Sequence, residues 1–129
     1  MYINSFNNQL KMFAKVLNNR FPNDADLKLF QTCTNTLIKC NASKCIELYI
    51  FYVYPYKDKI ESKQEDFMMN TEFTKENDLH TEWNFNVMVH LKNCWVYLDD
   101  NEKQNIWKYL NILITLSEKY GIAHIQTNS

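Results

Sequence analysis

The chain of 129 residues predicts an all-α fold: a single-domain bundle of about five helices that ends in an antiparallel helical hairpin. Three observations carry this expectation. One glycine and two prolines are too few for the tight turns of a sandwich or barrel. Apolar residues recur at spacings of three and four over most of the length. No segment alternates cleanly with the period of two that a half-buried strand needs. Hydrophobic residues make up 46% and aromatics 15%, which sets intrinsic disorder aside. A chain of this size buries roughly two-thirds of its unfolded surface, enough for a core without staples.

The first helix carries Phe6, Leu10, Phe13 and Leu17 on one face, with Ile3 a turn ahead. It should end near Phe21-Pro22, because the residue before proline avoids helical geometry. Asn23 or Asp24 can cap a second helix whose stripe is Leu27, Phe30, Thr34, Leu37 and Ile38. The next stretch, CIELYIFYVYPYKDKI, is ambiguous. Its Tyr, Ile, Phe and Val favour strand, yet Ile46, Tyr49 and Val53 fit helical spacing, as do Cys45, Leu48 and Tyr52. A lone strand would lack a partner, so 45–54 is expected to be a helix, stopped or kinked near Pro55. YKDKI resumes it, and a short helical turn follows around Glu65 to Met69.

Residues 70–80, NTEFTKENDLH, show no period and are the expected mobile acidic loop. Thr81 can cap a helix with Trp83, Val87, Leu91, Cys94 and Leu98 on one face and Phe85, Met88 and Trp95 beside it. The final helix is the best marked. Asp99 and Glu102 have the spacing of a capping box, and Ile106, Tyr109, Leu113, Leu116 and Tyr120 form its stripe. Gly121 suits a left-handed cap just past that stripe, which leaves 122–129 as a frayed tail. One domain over 1–129 accommodates all of this.

Charge is nearly balanced at −1 but unevenly spread: +4 over 1–60, −7 over 61–102 and +2 over 103–129. No basic arm for nucleic acid stands out. Lys11, Lys15, Arg20, Lys28, Lys39 and Lys44 are thinly spaced, and they make nucleic-acid binding through the first half the alternative function. The four cysteines include no CxxC pair, and no leader peptide or membrane-length apolar run is visible. A reducing, intracellular setting with free thiols follows.

Chemistry is hard to place. Cys40 and Cys45 lack a second ligand pair, and His80, His90 and His124 are scattered, so no metal is expected. Cys94 lies on a core face, a poor position for a nucleophile. One glycine cannot build a phosphate-cradling loop. Glu65, Asp66 and Glu82 could serve a hydrolase only if the fold converged them. Neither a catalytic residue nor a cofactor is expected. The unexplained feature is an aromatic surplus. Phe51, Tyr52, Tyr54 and Tyr56, extended by Trp95 and Tyr97, form the candidate interface, since Tyr and Trp are enriched where proteins meet.

The segments IELYIFYVYPYKDKIESKQEDFMM and DNEKQNIWKYLNILITLSEKY resemble parts of small, uncharacterised all-helical proteins of nucleocytoplasmic large DNA viruses, of the mimivirus and phycodnavirus type. The similarity covers about residues 46–120, and seventeen asparagines suit an AT-rich genome of that kind. The resemblance implies a viral protein of the infected cytoplasm or the virion, with no activity or site residue to carry over. The expectation is a non-enzymatic interaction or assembly module that binds a protein partner or itself, without membrane insertion.

Overall fold

The apolar stripe of the first segment produces α1, Tyr2–Arg20, and its Phe6, Leu10, Phe13 and Leu17 are all buried. The computed structural model describes residues 2–73 and 86–128, with side chains described as far as Ile122. Asp24 caps α2, Ala25–Cys40, accepting from the Leu27 N–H at 3.1 Å. The ambiguous stretch is helical, as expected, forming α3 over Lys44–Tyr52. Pro55 then sits in a 3-10 turn, Tyr54–Tyr56, where its missing N–H costs nothing. Two short helices follow, α4 (Lys57–Glu61) and α5 (Glu65–Asn70). Lys63 between them adopts φ 53°, a left-handed turn that a side chain tolerates at some cost.

After residue 86, α6 spans Val87–Cys94 and tightens into a 3-10 turn, Trp95–Tyr97. The expected Thr81 cap, Trp83, Phe85 and most of the acidic loop lie outside the described residues. The last helix, α7, covers Asp100–Asn128. Its capping box is formed in full: the Glu102 N–H donates to Asp99 Oδ1 at 2.8 Å, and the Asp99 N–H donates to Glu102 Oε1 at 3.0 Å. No strand occurs among the described residues, which hold seven α-helices in one domain.

The expected end of α7 needs correction. Gly121 does not stop the helix, and 122–128 continue it rather than fraying. The glycine keeps an ordinary negative φ. Neither proline nor a competing cap follows it, so the helix runs through at a cost of about 1 kcal/mol relative to alanine.

α7 lies mainly along α1 and runs antiparallel to it. The rings of Phe13 and Tyr109 stack at 5.0 Å, and Arg20 pairs with Glu102. Each step forward on α1 therefore matches a step back on α7, and Tyr2 comes level with about Tyr120. α2 packs on α1 opposite, α3 touches α1, α2 and α7, and α4 follows α7. α6 closes the core against α2 and α5. Tyr49 joins three of these helices: its ring meets the edge of Phe6 at 5.3 Å, and its hydroxyl donates to the Leu110 carbonyl at 3.0 Å. Burial holds that phenol well above its ordinary pKa.

Candidate functional site

The six aromatic residues expected to form one surface do not do so. Tyr52 is 1% exposed and Trp95 0%, so both belong to the core. Trp95 fails as a surface residue because it stands four residues after Leu91 and seven after Met88, both fully buried, so helical spacing puts it on the packed face of α6. Its indole meets the Trp107 ring edge-on at 5.2 Å, and Lys103 Nζ stands 5.6 Å from its ring centroid. Lys103 also donates to Glu65 at 2.7 Å and holds that carboxyl below its ordinary pKa. The indole N–H adds a smaller lowering, although it makes no hydrogen bond of normal geometry. Tyr56 is half-buried and packs with Phe67 and Phe73, each at 5.3 Å.

Four of the six keep exposed surface. Phe51 is 56% exposed and Tyr97 68%, while Tyr54, like Tyr56, is half-buried. Tyr97 and Tyr54 lie at two ends of the molecule. The Tyr97 carbonyl accepts from Arg20, which pairs with Glu102; the Tyr54 hydroxyl donates to Glu118 at 2.9 Å. Glu102 and Glu118 are separated by about 24 Å of helix axis. The candidate interface is therefore split.

At the Tyr54 end, α3 and the C-terminal half of α7 enclose an apolar groove of about 370 Å³, lined by Ile50, Tyr54, Ser117, Glu118, Gly121 and Ile122. Ile122 is 57% exposed at its edge. A Cβ added to Gly121 would meet nothing within 4 Å, so the floor is open there. Phe51 does not line this groove; it borders a smaller dent on α3 with Lys44, Glu47 and Leu48.

The polar rim is already satisfied. Glu118 takes the Tyr54 hydroxyl and forms an ion pair with Lys57, which also reaches Glu61 at 3.7 Å. The Lys57 and Tyr54 hydrogen bonds hold the Glu118 carboxyl below its ordinary pKa, and Glu118 in turn raises both partners.

Other candidate chemistry does not assemble. Glu65 is committed to Lys103, Asp66 is exposed, and Glu82 lies outside the described residues. Among the described residues no group of three or more His, Cys, Asp or Glu could hold a metal ion. All four cysteines are free thiols, and burial pushes Cys45 and Cys94 up to about 11, away from thiolate reactivity. Of the basic residues in the first half, Arg20 is engaged by Glu102 and Tyr97, while Lys11, Lys15, Lys28 and Lys39 are exposed. A wider dent of about 490 Å³ is polar, and its Lys63 and Glu102 are tied to Gln104 and Arg20. No helix among the described residues is long and apolar enough to cross a membrane.

Sequence reasoning missed Ile50, Ser117, Gly121 and Ile122. A signal existed: Ile122, Ala123 and Ile125 follow Gly121 with no proline, a pattern that continues a helix as readily as it ends one. No protein-family model, curated protein or solved structure matches the chain.

Proposed function

We propose that the chain is a non-enzymatic helical interaction module whose contact surface is the groove between α3 and the C-terminal half of α7. One observation carries the reading: an apolar groove opens between α3 and α7, and Ile122 at its edge is 57% exposed. Covering it removes that apolar surface from water at about 25 cal/mol per Å². The adjoining Lys57–Glu118–Tyr54 cluster has its partners within the chain, so closure strands no bare charge. Two other exposed apolar residues border smaller dents, Ile112 one of about 270 Å³ and Phe51 one of about 210 Å³.

Photo-crosslinking tests the reading. A benzophenone amino acid placed at Ile50 or Ile122 should give discrete higher-mass adducts, and one placed at Leu29 should not. Adducts at Leu29 equal to those at the groove, or none anywhere, would sink it.

A further inference from the structure

The seam between α1 and α7 carries a second apolar surface, on the flank of α7 away from the α3 groove. The antiparallel register sets it out: Phe13 stacks on Tyr109, and Arg20 pairs with Glu102. In that register Val16 comes level with Ile106, and both line a small dent with Tyr109. Met12, one turn earlier on α1, comes level with about Leu110, beside Tyr109 and Ile112. Met12 is 52% exposed, Val16 39% and Ile112 43%, while the half-buried Tyr109 and Leu116 floor the seam. The strip runs for about 15 Å, or three helical turns.

Charge around this seam has one sign. α1 contains no acidic residue. From Lys103 to Ile122, α7 has only Glu118, which is turned away to Lys57 and Tyr54. At the end of the seam Glu102 is held by Arg20 and by the Asp99 N–H. Lys15 stands three residues after Met12, on the outer bank of α1. Lys108 and Lys119 stand four before and seven after Ile112, on the outer bank of α7. All three lysines are exposed, and none pairs with a carboxylate among the described residues.

We infer that this seam is a docking site for an acidic amphipathic helix of a partner protein. Its apolar stripe would lie over Met12, Val16, Ile112 and Leu116, with carboxylates on either side against Lys15, Lys108 and Lys119. An apolar trough between two antiparallel helices fits the ridge of a third. Unpaired lysines on both banks supply the charge complementarity, which steers such a helix and rejects a basic one. A bilayer surface matches the lysines but not the trough, because Tyr109 and Leu116 lie sunk between the helices, out of reach of acyl chains. The site is separate from the α3 groove, and each can be lost without the other.

A labelled peptide tests this: an amphipathic helix of about five turns, with leucine at heptad positions a and d and glutamate at e and g. Fluorescence anisotropy with the full chain should give a Kd on the order of 10 μM at low salt. Raising salt from about 50 mM to about 500 mM should weaken it severalfold. The same peptide with lysine at e and g should bind at least about tenfold more weakly. The double variant Lys15→Glu, Lys108→Glu changes only exposed positions and should reverse that preference. Ile112→Asp should weaken the glutamate peptide about tenfold or more, whereas Leu29→Asp and Ile122→Asp should not change it. Equal binding of the two peptides, no binding of either, or indifference to both charge reversal and Ile112→Asp overturns the docking site. So does a chain that ignores the glutamate peptide and sediments with phosphatidylserine–phosphatidylcholine vesicles, which assigns the seam to a bilayer surface.

Discussion

The two ends of α7 treat aromatic side chains in opposite ways. At its start, Trp95 is sealed against Trp107, roofed by Lys103 and backed by Glu65, while the capping box fixes the first turn. Near its far end, Ile122 stands in water at the edge of an open groove, and Phe51 is more than half exposed on α3. The difference does not lie in residue type, since both ends are rich in Tyr, Phe or Trp. It lies in what surrounds the ring. Trp95 has helices or turns on every side, whereas Phe51 shares its face of α3 with Lys44 and Glu47. Aromatic abundance marks core and exposed surface alike, since both rings have charged neighbours, and what encloses the ring tells them apart.

The comparison breaks most visibly if Trp95 proves dispensable. Trp95→Ala should cost about 3–5 kcal/mol in urea unfolding, the range for truncating a large buried aromatic. Phe51→Ala in the monomer should stay within about 0.5 kcal/mol of wild type. Similar costs for the two would mean that the sealed and open ends are not distinct. Asp99→Ala removes the cap at the sealed end and should cost about 1 kcal/mol in the same experiment. At the open end Gly121→Ala should add up to about 1 kcal/mol, because nothing opposes the new methyl. A loss there would mean that the glycine serves the monomer.

The smallest effect concerns acid. The Asp99 N–H first, and Arg20 second, hold the Glu102 carboxyl below its ordinary value of 4.5; Lys57 and Tyr54 do the same for Glu118. A depressed pKa in the folded state contributes stability above the unfolded value, and that contribution fades as pH falls through the folded one. Stability should therefore decline below a pH of about 4.5, and the decline should be shallower in Glu102→Gln and Glu118→Gln. Unaltered slopes in both variants would show that neither carboxylate is linked to folding. Both side chains are partly solvated, so each contribution is modest.

Much of the fold was legible because helices announce themselves by period and cap. Phe6, Leu10, Phe13 and Leu17 on α1, and Leu27, Phe30 and Thr34 on α2, are all buried as their spacing predicts. Asp24 caps α2, and the Asp99–Glu102 box is formed. The helix over 44–52 followed from the absence of a partner strand. The site was less legible, for two physical reasons. A helix apolar on most sides does not reveal which side meets solvent, so Tyr52 and Phe51 looked alike until burial separated them. Trp95 lies beside the Val87–Leu91–Cys94 stripe, and only its spacing from Met88 and Leu91, both fully buried, marks it as core. Gly121 misled for a third reason: glycine ends helices often enough that a glycine inside one resembles a stop.

The pairing of α1 with α7 also bears on how the chain acquires its structure. The Arg20–Glu102 bond joins residues 82 apart in sequence. While the chain is being made, α1 and α2 emerge early and can meet, but the face of α1 that receives α7 must wait for nearly the whole remainder. Phe13 and its neighbours are exposed to other molecules in that interval. Long-range closure of this kind slows folding and lengthens the window for aggregation. A helix paired with one so far back in the sequence leaves the face of α1 dependent on dilution, or on a chaperone, until α7 has been made.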